Sequence, residues 1–141
     1  MALHLLSKIL IIIVALLHVL FLILEMFLWN TPLGHKLLNM DEATAKTTQV
    51  LAANQGLYNG FLSFGLMWSL FIPYGEATAA FFLICVAVAG IFGAFTGSIF
   101  ILFLQTVPSL FALLSVGCTY KGVEIASNSG QQKNVPEEDV S

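Results

Sequence analysis

The sequence predicts an all-α membrane protein built as a bundle of four transmembrane helices. Two observations carry that expectation. Of 141 residues, 58% are hydrophobic and only 9% charged, against roughly 25% charged in soluble domains. The apolar residues fall into four runs, about 5–29, 47–72, 77–97 and 98–118, each near the ~20 helical residues that cross a hydrocarbon core. One domain over 1–120 follows, with 121–141 left as a polar tail expected to be disordered. Such a chain lives in a membrane as a multi-pass protein (the inner membrane, if bacterial), and the lipid bilayer is its first partner. The net charge of −3 comes mostly from the tail, and no basic block offers nucleic acid a footprint.

The first run could be read as a secretory signal after Lys8. Its apolar part is too long, however, and Phe27-Leu28-Trp29 stands where small residues would be cleaved. It is therefore expected to stay as a helix, with Trp29 in the interfacial belt. It carries His18 and Glu25, seven residues apart, which share a face about 10 Å apart along the axis. They can line one cavity without bonding each other.

Thr31-Pro32 ends that helix, because the residue before proline avoids helical angles. The stretch 33–40 mixes Leu37, Leu38 and Met40 with His35 and Lys36 and is expected on the membrane surface. Asp41 is placed to cap the next helix, with Glu42 in its first turn.

The second helix holds the most informative stretch, LAANQGLYNGFL at 51–62. A step of about 100° per residue puts Asn54, Gln55, Tyr58 and Asn59 within an arc of about 140°. Polar side chains on a spanning helix should look into the bundle or a wet cavity. Pro73 to Glu76 then makes a tight turn. On the third helix Ala89, Gly90, Gly93 and Gly97 lie on one side, a spacing that lets helix backbones approach closely. Packing within the chain is the plainer reading, and a homodimer face the alternative. On the fourth helix stands Gln105, with Pro108 expected to kink the helix and free a carbonyl near it.

Counting from each turn places Glu25, Asn54, Gln55, Tyr58 and Gln105 in roughly one layer, nearer the long loop, with His18 deeper. No Lys or Arg lies at the depth of Glu25, so its carboxyl must be served by amide and hydroxyl donors. The candidate ligand-binding set is His18, Glu25, Asn54, Gln55, Tyr58, Asn59 and Gln105. The ligand itself is not readable, and no catalytic residue is assigned. Cys85 and Cys118 fall in different runs with no redox or zinc spacing; no metal and no cofactor are expected.

The pieces LLHVLFLILEMFLW (16–29), LAANQGLYNGFLSFGLMW (51–68) and AVAGIFGAFT (87–96) resemble a family of small four-helix integral membrane proteins of unknown function. The resemblance spans nearly the whole chain except the tail. It implies a compact four-span protein with no established activity. Members often carry basic residues between helices three and four and a Glu before the first-helix His; here Gly97-Ser98 and Leu17 stand there. The family habit would put the long loop in the cytoplasm and both termini outside.

Three functions compete. The polar layer could bind or carry a small polar or amphipathic ligand. It could instead tie helices together in a structural subunit. Or Glu25 or His18 could act as general acid or base on a lipid-soluble substrate. No nucleophile elbow, metal triad or cofactor fingerprint is present, so the enzyme ranks last and the binder first.

Overall fold

The computed structural model describes residues 2–132, and every element among them is helical. Helix α1 (Ala2–Ile23) runs without a break into a wide π-helical turn, Leu24–Leu28. A short α2 (Pro32–Leu38) follows, then α3 (Glu42–Ser69) and α4 (Gly75–Thr96). The last segment opens with one turn, α5 (Ile99–Ile101), widens into a second π-helical turn, Leu102–Thr106, and continues as α6 (Val107–Gln132).

Among the described residues, three stretches are long and apolar enough to cross a membrane: His4–Leu28, Gly75–Thr96 and Ile99–Thr119. The sequence led us to expect four. Helix α3 has the length, at 28 residues, but its threonines, glutamines and asparagines dilute its apolar character below that of the other three.

Helix α1 packs on α3 and α6, and α4 packs on the same two, so the four long segments close into a ring. Val14 and Ala15 of α1, Leu66 of α3, Leu83 and Val86 of α4, and Ala112 of α6 fill its centre, all almost wholly buried. Alanines at the contact faces keep the backbones near one another, which is how helices gain contact where no water-driven force pulls them together.

The long loop is more ordered than its composition implied. Thr31 accepts a hydrogen bond from the Gly34 amide and so caps α2, with Pro32 in the first turn where no amide is needed. Leu33 and Leu37 of α2 are exposed. The Trp29 indole donates to Thr48 at 2.9 Å, and the Asn30 amide to Gln49 at 3.0 Å. These two bonds fasten the end of the first segment to the start of α3.

Asp41 caps α3, accepting from both the amide (2.9 Å) and the hydroxyl (2.7 Å) of Thr44. Those bonds, the amide first, hold its carboxyl below the usual carboxylate range. A group whose folded pKa is depressed stabilises the fold above its unfolded pKa and loses that effect as pH falls through the folded value. Acidification below about pH 4 should therefore fray the first turn of α3. The expected result is faster amide exchange at Thr44 than at mid-helix, and Asp41→Ala should show that fast exchange already at neutral pH.

Proline is preceded in the last segment by a widened turn. The ring of Pro108 would meet the carbonyl four residues back. The turn before it is π-helical, and the Val107 amide bonds the Leu102 carbonyl instead. Beyond the apolar stretch α6 continues to Gln132. The polar segment from 121 to 132, expected to be disordered, is thus helical: once a helix is nucleated, each further residue adds a hydrogen bond at little cost. The rest of the expected tail, 133–141, lies outside the described residues.

Candidate functional site

Glu25 sits in the first π-helical turn and Gln105 in the second. Such turns displace side chains from the ordinary helical register and recur at functional sites. Across from the first turn, α3 presents Gly56. A Cβ there would lie 2.6 Å from Met26 Cγ, 3.1 Å from Glu25 Cβ and 3.2 Å from the Leu22 carbonyl oxygen. The missing side chain brings α3 close enough for Asn59, one turn on and 5% exposed, to donate to the Glu25 carboxylate at 2.7 Å. This joins two members of the candidate ligand-binding set.

The carboxylate of Glu25 is half-buried and receives that one hydrogen bond; no cation pairs with it among the described residues. A carboxylate has about four acceptor sites, so most of its capacity is uncommitted.

The other members are placed differently. Gly65 of α3 packs directly against the Phe82 ring of α4, which fixes the antiparallel register of the two helices. One turn toward the long loop, Leu62 and Cys85 are both half-buried. Further on, Tyr58 with Ala89, Gln55 with Phe92 and Leu51 with Thr96 are exposed on both sides. Facing residues of the two helices thus pass from packed near the short turn to exposed toward the long loop, and this exposed strip is the seam between them. Gln55 and Tyr58 edge this seam, and Asn59 is buried beside it. Asn54 is also exposed, one turn before Tyr58 and, by a step of 100° per residue, on the same stripe as Tyr58 and Gly65. The polar arc of about 140° was simply wider than one contact face, so only part of it turns inward.

Gln105 is half-buried, and its Cβ stands 2.9 Å from where a Cβ on Gly90 would be. The neighbouring Thr106 hydroxyl donates to the Ala87 carbonyl at 3.2 Å. Among the described residues the side chains of Gln55, Tyr58 and Gln105 have no hydrogen-bond partner. His18 is wholly buried; its Nδ1 donates to the Val14 carbonyl at 2.8 Å and its ring meets Phe21 edge-on. Its Nε2 is buried without a partner among the described residues. His18 and Glu25 do not touch.

The small residues of α4 serve the chain's own packing in part. Gly90 is buried against Gln105 and Thr106, and Gly93 lies 3.0 Å from Ile101 Cγ2 by its would-be Cβ. Ala89 and Gly97 are exposed.

Sequence reading passed over a second polar group at the other end of the molecule. The Ser7 hydroxyl lies 2.8 Å from that of Ser115 and 2.9 Å from that of Thr119, all three buried. Thr119 in turn donates to the Ser115 carbonyl at 2.9 Å. The signal was available: Ser115 and Thr119 are four residues apart and so share a face of an otherwise apolar helix. Among the described residues no group of three or more His, Cys, Asp or Glu could hold a metal ion.

Fold and site together define a small, all-helical membrane protein whose first and third helices are joined by a carboxyl–amide contact. The chain belongs to the family described as Protein of unknown function (DUF1304), matched over residues 12–117. The LEMFLW and LAANQGLYNGF segments both lie inside the matched region. No curated protein and no solved structure matches the chain.

Proposed function

We propose that this is a four-span, multi-pass membrane protein, with α3 as the fourth span, that binds a small amphipathic molecule at the seam between α3 and α4. One observation carries the reading: Glu25, a half-buried carboxylate bonded by Asn59, stands on the packed side of α3 while Gln55 and Tyr58 edge the open seam. A polar or cationic head would find acceptor sites on Glu25 and donors on Gln55 and Tyr58. Its apolar part would remain among Leu51, Phe92 and the lipid tails. A seam that opens sideways also explains why a spanning helix tolerates exposed amides, which hydrocarbon alone would penalise.

Mass spectrometry of small molecules and lipids retained by gently purified protein tests this. Wild type is expected to hold a species that Glu25→Gln, folded to the same extent, has lost. If both hold the same bulk lipid, the binding reading fails, and the Glu25–Asn59 contact is a tie between helices in a structural subunit.

A further inference from the structure

At the end of the ring away from Glu25, a cleft of about 160 Å³ opens among Ser7, Lys8, Ser69, Glu76 and Thr119. The three apolar stretches that can cross a membrane begin or end here, at His4, Gly75 and Thr119, so the cleft lies at the level of the lipid head groups. Its lining includes buried Ser7, Ser69 and Thr119, which carry hydroxyls, together with exposed Lys8 and half-buried Glu76, which carry opposite charges. These opposite charges line one cleft without forming an ion pair with each other. Its volume resembles the roughly 150 Å³ cavity that accepts a benzene-sized group.

A second hollow adjoins it. Between α4 and α6, an apolar groove of about 400 Å³ is lined by Ala77, Ala80, Leu113 and Gly117, and shares Glu76 and Val116 with the polar cleft. Above Gly117 the space is open, with no atom within 4 Å of where a Cβ would be. A head-sized polar cleft that continues into a hydrocarbon-lined groove has the shape of a lipid.

We propose that this end of the protein binds a phospholipid with a zwitterionic, primary-amine head group, its phosphate beside Lys8, its ammonium beside Glu76 and one acyl chain in the groove between α4 and α6. A primary ammonium offers three donors to the carboxylate and hydroxyls. A quaternary one offers none and is held by cages of Trp, Tyr or Phe, of which Tyr74 alone lines this cleft among the described residues.

Native mass spectrometry after incubation in vesicles of equal phosphatidylethanolamine, phosphatidylcholine and phosphatidylglycerol is the test. Wild type is expected to carry phosphatidylethanolamine roughly tenfold over the other two, the ratio one charge-assisted hydrogen bond supports. Glu76→Gln should lose the preference, and Gly117→Leu, which fills the groove and leaves the cleft intact, should lose the adduct. Glu25→Gln should keep it, so this site and the seam fail separately. The proposal is overturned if wild type carries the three lipids in their bulk ratio, or if both variants match wild type. Displacement of the adduct by free phosphoethanolamine, with Gly117→Leu still binding, would overturn the acyl-chain assignment and leave the head group alone as the ligand.

Discussion

Replacing Gly90 by leucine should lower the thermal midpoint of the purified protein by roughly 5–10 °C, the equivalent of about 2–3 kcal/mol in a chain of this size. The reason is steric and local. A Cβ on Gly90 would fall on the Thr106 hydroxyl and within 2.9 Å of both Gln105 Cβ and the Thr106 backbone nitrogen. A flexible side chain could move aside, but the backbone of a wide turn fixed by Pro108 cannot. Ala89→Leu is the control. Ala89 is exposed on the same helix, so its enlargement should stay within about 0.5 kcal/mol. The opposite pattern, with Ala89→Leu disruptive and Gly90→Leu silent, would mean that the small-residue face meets another copy of the chain. Thermal unfolding followed by tryptophan fluorescence, alongside the mass of the protein–detergent complex, separates the two.

Asn59→Leu should be the most damaging single change in the polar layer. It removes the one hydrogen bond that the Glu25 carboxylate receives while leaving that carboxyl half-buried. Stranding a polar group in this way costs about 1–3 kcal/mol. The paired change Glu25→Leu with Asn59→Leu removes both partners together and should be closer to wild type than Asn59→Leu alone. Denaturant titration of the three proteins decides the matter. A double variant less stable than the single one would show that Glu25 is held by contacts other than Asn59.

Much of this architecture could be read in the residues. The apolar runs, the stop at Thr31-Pro32, the Asp41 cap and the short turn at Gly97-Ser98 each follow from local chemistry acting on a few neighbours. The close approach at Gly90 was legible only in part, since the same small-residue spacing includes Ala89 and Gly97, which are exposed. What local chemistry cannot give is the angle at which each helix meets its neighbour. Asn54 and Asn59 look equivalent in sequence, yet a rotation of 140° (five steps of about 100°) sends one outward and the other onto Glu25. The π-helical turn at Leu24–Leu28 was equally hidden, because no proline follows it within the helix. The hydroxyls of Ser7, Ser115 and Thr119 were missed for another reason: their partners stand more than a hundred residues apart, and only the packing of α1 on α6 brings them together.

The register fixed by Gly65 and Phe82 also gives the seam an apex, and the residue at that apex is Cys85. It is half-buried, level with Leu62, at the point where the facing residues of α3 and α4 pass from packed to exposed. The other cysteine, Cys118, is exposed on α6 at the opposite end. The native chain therefore carries its own gauge of how far the two helices stand apart. With Cys118 replaced by serine, the rate at which a membrane-soluble thiol reagent modifies Cys85 reports the opening of the seam, and any molecule lodged there registers as protection of a single sulfur.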